Sequence, residues 1–519
     1  MSREVHVRFC ENVEGRLLCV TRLVILAALA TIAIPIFINK SGTSKQIAHN
    51  ENVSTLQSQG NAYLLSLHTM PFPDEELLDD LESNGYIKEI PTNPLTGNKD
   101  YSVKYNATKG SVEVTPIREE VTGVVSGGSG GGGGSSEYDS VMGCNKPKLT
   151  FGMTELNFNG TDFVNATEQE KTDKTWYNYQ GDIEDFAANK ANEKWANVKL
   201  NDGSMFVWIP RYTYKITGDD TTVNATDDKI QIKYSNGTTD DTADGYIAHP
   251  AFNFGGTQLT GIWVAKFEAS NDGSANVQVK SGVASWKGIS VNDIFNECRA
   301  MQSGGNSYGI STDTNVIDTH MMKNSEWGAV AYITEAIRDG DEISINNNSN
   351  YITGHGATAA EISGHLATTT ARAYSTADSM EASTTGNVYG IYDISGGSWE
   401  YVASYIGVGN ANGASLLAAD AKYKDVLAGA VSMDPQINYV ATEGQTNGWS
   451  LHEVETSGTG SSTFRGYSDY QGFPATNLPF FLRSCYHSHN VVAGIFASGG
   501  YSGGTDGDSS FRPVLVAFQ

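Results

Sequence analysis

Gly386-Asn-Val-Tyr-Gly-Ile-Tyr-Asp-Ile-Ser-Gly-Gly-Ser-Trp-Glu-Tyr-Val402 is the stretch around which the rest of the chain is read. Val388, Tyr389, Ile391, Tyr392 and Ile394 crowd apolar and aromatic side chains into a short span. Gly396 and Gly397 then permit a sharp bend before Trp399, Glu400 and Tyr401, because glycine accepts the positive φ that other residues avoid. The expectation is a core segment that folds back on itself.

Outward from this segment, the flanking sequence supplies matching elements. Met205–Pro210 alternates Phe206 and Trp208 with Val207 and Ile209, which reads as a strand buried on both faces and stopped by Pro210. Gly261–Glu268 reads as its partner. Val291–Met301 places Ile294, Phe295, Cys298 and Met301 at helical spacing, with Asn292 as a candidate cap. Asn324–Ile333 reads as a second helix. Cys298 on that apolar stripe reads as an inert buried thiol, and His320 lacks a spaced partner.

The 386–402 stretch resembles the FGLYDMxGNVWEW signature of the formylglycine-generating-enzyme type of C-type-lectin fold, and Asn324–Ile333 resembles that family's TEAEWEYAA helix. Arg483 and Arg512 match the arginines of its C-terminal RGGS…GFR end, which the resemblance implies brace the fold. The family's two catalytic cysteines stand six and eleven residues after the first of these arginines, where this chain has His489 and Gly494. Thiol oxidation lacks both of its residues, so no catalytic residue is assigned and a non-enzyme is expected.

Between Ser484 and Ser510, outside the framework Ala493–Ala497, only Ser, Cys, Tyr, His, Asn, Val, Gly, Thr and Asp occur. Each is reachable from an asparagine codon by changing its adenines. This composition resembles the variable repeat of diversity-generating-retroelement target proteins, which use the same lectin-like fold. The resemblance implies a ligand-binding surface drawn from Ser484, Cys485, Tyr486, His487, Ser488, His489, Asn490, Val491, Ser498, Tyr501, Ser502, Thr505, Asp506, Asp508, Ser509 and Ser510. Tyr, His, Ser and Asn on a rigid scaffold also suit a paratope. A competing reading puts Cys485, His487 and His489 on one face of a strand as metal donors for an oxidase, although a fourth ligand is missing. No cofactor is expected. Calcium is considered only because of the acidic loop Asp240–Asp244, whose spacing fits a solvated turn better than an EF-hand.

The chain has 519 residues and a formal charge of −25, too long for one core. Residues 126–519 hold 23 basic against 44 acidic side chains, a net −21. Such a body repels phosphate backbones, so nucleic acid is excluded as a partner. The five cysteines are scattered and form neither a disulfide framework nor a CxxC knuckle.

Residues 126–136 are a Gly/Ser linker with a coil span of roughly 18 Å. Its literal G-x-S-x-G lacks the flanking strand and helix of a nucleophile elbow. Before it, Leu23–Ile38 is an uncharged run of 16 residues, read as a membrane helix, with a cleaved signal as the alternative. Ala33–Phe37 and Asn84–Pro94 resemble the AIAIPxF and GYLKxIPxDP segments of type IV pilins and pseudopilins. Gly15 is the candidate processing glycine, but no acidic residue stands at the position the pilin pattern requires. Strands are expected at Tyr101–Tyr105 and Ser111–Val114.

The fold class expected is therefore α+β. An N-terminal membrane helix (1–40) and a small pilin-like α+β module (41–125) precede the linker (126–136) and a C-type-lectin-like, loop-rich mixed α/β domain (137–519). The function expected is recognition of a protein or glycan on another cell, host or phage. The protein would sit on the bacterial surface through its N-terminal helix, with other pilin-like subunits as further partners. A structural minor pilin at a filament tip is the third reading.

Overall fold

The computed structural model describes residues 49–116 and 137–518, except 50, 51, 54, 58, 61, 62, 65–74, 107–110, 180–189, 218–229, 339–340, 357–372, 430, 455–458 and 462–468. The chain divides into two compact units, Met1–Ser136 and Glu137–Gln519.

In the first unit, helical residues between 49 and 64 and the short helix α1 (Leu78–Ser83) pack on a three-stranded antiparallel sheet. The strands are β1 (Glu75–Glu76), β2 (Ser102–Asn106) and β3 (Ser111–Thr115), the last two being the expected hairpin. Leu56, Leu81, Val103 and Val112 sit in its core. Gly60 allows close approach: a Cβ there would lie 2.8 Å from Val112 Cγ1.

Two seven-stranded sheets organise the second unit. The first uses β4 (Thr154–Phe158), β5 (Phe163–Asn165), β6 (Asn197–Lys199), β7 (Met205–Pro210), β8 (Gly261–Ala265) and β9 (Ile317–Met321), completed by the C-terminal β17 (Pro513–Ala517) in the order β9-β17-β8-β7-β6-β4-β5. β7 and β8 are the two strands expected as partners, antiparallel with Trp208 opposite Trp263. Both are buried, as their continuous apolar composition requires. The second sheet uses β10 (Trp399–Ile406), β11 (Asp425–Leu427), β12 (Thr459–Ser461), β13 (Tyr470–Gly472), β14 (Phe480–Arg483) and β15 (Ser498–Tyr501), ordered β11-β10-β14-β15-β13-β12. β16 (Ser509–Phe511) pairs with β10 in parallel.

Helix α2 (Val291–Ala300) buries Ile294, Phe295 and Cys298, and Ser290 rather than Asn292 caps it by accepting from the Asp293 amide. Helix α3 (Asn324–Arg338) is buried along nearly its whole length. Trp327 Nε1 donates to the Ile495 carbonyl at 2.7 Å. His320 is buried between Asp318 and Glu326.

The expected fold class needs correction. The described chain is a β-rich α+β protein of low helix content, and none of its described helices is long and apolar enough to cross a membrane. The membrane helix expected within residues 1–40 and the processing glycine Gly15 lie outside the described residues. The membrane anchor, and the placement on a cell surface that rested on it, are withdrawn.

Candidate functional site

The 386–402 segment is held mainly by buried polar groups from distant parts of the unit. Lys266 Nζ donates to the carbonyls of Val388 (2.6 Å) and Gly390 (2.8 Å), and burial drives its amine well below the usual lysine range. Asn387 Nδ2 donates to the carbonyls of Lys190 and Glu193. Gly396 and Gly397 take φ of +77° and +76°, the bend their composition implies. Glu268 accepts from the Ser398 amide beyond that bend at 2.7 Å, and burial pushes its carboxyl well up.

Past the bend, β10 turns alternate residues to opposite sides of its sheet. Glu400 aligns with Ser510 on β16 and with Arg483 on β14, Arg483 aligns with Ser498 on β15, and Ser498 aligns with Gln471 on β13. This cross-strand row is buried throughout. Arg512 closes on Glu400 with two hydrogen bonds (Nε–Oε2 3.1 Å, Nη2–Oε1 2.6 Å) and donates to the carbonyls of Ala265 and Tyr392. Arg483 Nη2 donates to Ser450 Oγ at 2.6 Å. Both arginines brace the fold, as the family resemblance implies.

On the other side stand Trp399 and a group of rings. Tyr470 meets Trp399 edge-on at 5.8 Å between centroids, His489 meets it at 5.9 Å, and Tyr486 lies 4.2 Å from His489. Gly499 leaves room for the indole, since a Cβ there would lie 3.3 Å from it. His487 meets Tyr351 edge-on at 4.7 Å. The Tyr351 hydroxyl donates to Asp508, and Lys287 Nζ sits 3.1 Å from the centre of the Tyr351 ring. Burial lowers the affinity of both imidazoles for a proton.

The turn leading into this face departs from the expected strand. β14 ends at Arg483 because Ser484 and Cys485 adopt left-handed backbone, φ +77° and +66°. Ser484 Oγ donates to the Gly396 carbonyl at 2.8 Å and the His487 amide to the Gly397 carbonyl at 2.9 Å. A 3-10 turn, His487–Val492, follows. The alternation that would have put Cys485, His487 and His489 on one face is therefore lost. The Cys485 thiol points inward against His489 Nδ1, while His487 turns to Tyr351. Among the described residues no group of three or more His, Cys, Asp or Glu is placed to hold a metal ion. In the acidic loop considered for calcium, Asp240 is paired with Arg211 and Asp241 with Lys233.

Of the residues assigned to the face, Ser488, Tyr501 and Thr505 are exposed, and Tyr486, His487, His489, Ser502, Asp506 and Asp508 are half-buried. Ser484, Cys485, Ser498, Ser509 and Ser510 are buried behind it. Asn490 and Val491 lie within the 3-10 turn. Tyr351, Lys287 and Tyr470 join the face without having been picked out from sequence. The run Asn346–Asn350 announces a loop, and Asn346 and Asn348 do accept from backbone amides two residues on. Nothing in it announces that Tyr351 would reach Asp508.

Gly494, where the enzyme family has its second cysteine, has no room for a side chain: a Cβ would lie 2.0 Å from the Asp469 carboxylate. Asp469 accepts from the Phe496 amide at 3.0 Å, and burial lifts its carboxyl to about 7.

No family model matches the chain, and no curated protein sequence matches it. Among solved structures it is similar to Treponema denticola variable protein 1, with 12% identity, 60% of this chain and 95% of that chain covered, and a TM-score of 0.23. Neither the pilin-type module nor the formylglycine-generating type of head is matched by a family model or a curated protein sequence.

Proposed function

We propose that the chain is a ligand-binding protein of adhesin or receptor type, and that it recognises its partner through the Trp399 side of the second sheet without bond chemistry. One observation carries this reading. The stretch of restricted composition, 484–510, splits by position: Tyr486, His487, Ser488, His489, Tyr501, Thr505, Asp506 and Asp508 reach solvent, with His487 and Asp508 against Tyr351, His489 against Trp399 and Tyr486 against His489. Its inward serines and Cys485 are part of the frame. Such a surface accepts sequence change without loss of fold, which is what a diversified binder needs. Aromatic side chains with few rotatable bonds add contact area at low entropy cost.

Sequencing the codons for 484–510 across a population of the source organism tests this. Substitutions confined to the outward positions, at adenines of a near-identical template, are the expected result. A uniform sequence with no template nearby contradicts diversification and leaves a fixed-specificity binder to be judged by binding alone.

A further inference from the structure

We infer that the partner of this face is a protein presenting a basic patch, and that the contact extends from the 484–510 stretch onto Tyr351. The inference rests on the binding face proposed above and adds the chemistry of its occupant.

The rings decide between polypeptide and sugar. Trp399 and Tyr470 meet at 74°, Trp399 and His489 at 89°, Tyr486 and His487 at 87°, and Tyr351 and His487 at 84°. Tyr486–His489 (53°), Tyr470–His489 (46°) and Tyr401–Tyr501 (50°) are tilted, so none of these ring pairs lies flat in a common plane. They give a contoured ridge rather than the open platform on which a pyranose stacks, and a ridge suits side chains interdigitating from a protein.

The carboxylates decide the sign. Asp508 takes the Tyr351 hydroxyl on Oδ1, and Asp506 takes the Ser509 hydroxyl on Oδ2 at 2.6 Å. Each acid is thus fixed by a donor from within the protein. Its second oxygen, Asp508 Oδ2 or Asp506 Oδ1, has no hydrogen-bond donor among the described residues, and both side chains are half-exposed. Two preorganised acceptors in search of donors fit lysine or arginine, whose N–H groups bond a carboxylate with the help of charge. The stretch 484–510 contains no lysine or arginine to fill that place. The neighbouring cation, Lys287, lies over the Tyr351 ring and feels the charges of Asp508, Glu268 and Asp506, but it donates no hydrogen bond to the free oxygens of Asp506 and Asp508. The surrounding body carries −21, so its field also draws a basic partner in.

Backbone strain points to the same place. Among the described residues eight non-glycine positions have left-handed backbone, and Tyr351, Asp393, Ser484 and Cys485 are four of them. Ser484 Oγ reaches the carbonyls of Gly396 and Asp393, Cys485 follows it in the chain, and Tyr351 touches His487 two residues further on. Tyr351, at φ +55°, spends conformational energy to stand where its hydroxyl fixes Asp508.

The test is selection of random phage-displayed peptides on the full-length chain, with an unrelated protein of similar negative charge as the counter-selection. Selected peptides are then measured on the D506N/D508N double variant, on Y351F, on Y486A and H487A, and on E168Q/D173N, which removes two charges from the exposed helix Glu168–Asp173. The expected result is enrichment of Lys and Arg. Binding should be about five- to tenfold weaker on D506N/D508N, measurably weaker on Y351F and unchanged on E168Q/D173N, with further loss as ionic strength rises from about 0.05 M to about 0.3 M. Peptides that lose binding on Y486A or H487A but ignore D506N/D508N overturn the basic partner and leave the face standing. Peptides indifferent to every face variant overturn both. Failure to enrich any peptide beyond the counter-selection overturns the protein partner, as does glycan-array binding that is lost on Y486A.

Discussion

Trp399 and Glu400 are neighbours in the chain and belong to opposite worlds. Glu400 faces the row Ser510–Glu400–Arg483–Ser498–Gln471, where polar groups are sealed from water and Glu400 is clamped by Arg512. Trp399 faces a cluster of rings and acids whose outer members reach solvent. The difference lies in what a substitution leaves behind. On the inner side a lost partner strands a buried charge, whereas on the outer side water takes the vacated place. The same strands therefore hold a fixed frame on one side and a replaceable surface on the other.

The largest effect expected from this contrast is at Arg512. Replacing it with methionine (Arg512→Met) leaves Glu400 uncompensated in the core and should cost about 3–5 kcal/mol in urea or thermal unfolding. A cost below about 1 kcal/mol would mean the inner row is not the frame. Next comes Gly494→Ala, whose Cβ would collide with the Asp469 carboxylate and should cost about 1–3 kcal/mol.

The inner side should also give stability a pH dependence of definite sign. Asp469, with its folded carboxyl at about 7, holds a proton that the unfolded chain releases near pH 4. Between about pH 4 and 7 the native state binds more protons than the unfolded one, so stability falls as pH rises through that window. One group contributes at most about 1.4 kcal/mol per pH unit. Asp393, lifted to about 6 by burial, acts in the same direction. Asp469→Asn should flatten part of the slope measured by unfolding at pH 5, 6 and 7, and an unchanged slope would remove Asp469 from the account. The smallest effects belong to the outer side. Tyr486→Ala and His487→Ala should each change stability by less than about 0.5 kcal/mol, as surface substitutions do, while weakening ligand binding.

Much of the frame is legible in the sequence. The apolar run of β7 and its partner β8, the periodicity of α2, and the glycine pair at 396–397 each follow from residue type and spacing alone. The two bracing arginines needed the family resemblance. The detail of the face is less legible, and for identifiable reasons. Ser484 and Cys485 adopt left-handed backbone that serine and cysteine do not advertise, and this turned an expected strand into a 3-10 turn. Tyr351 comes from a loop well over a hundred residues away in sequence, and only the folded chain brings it to Asp508. Burial of Ser498, Ser509 and Ser510 is equally hidden, because serine is at home on a surface and its place here is set by strand register.

The most direct test of the central claim is a saturation scan of residues 484–510 in the full-length chain, read out as resistance to proteolysis. Tolerance should alternate with exposure. Tyr486, His487, Ser488, His489, Tyr501, Thr505, Asp506 and Asp508 should accept most substitutions, while Ser484, Cys485, Gly494, Ser498, Gly500, Ser509 and Ser510 should accept few. Equal tolerance at both sets, or intolerance concentrated at the exposed positions, would contradict a replaceable binding surface mounted on a fixed sheet.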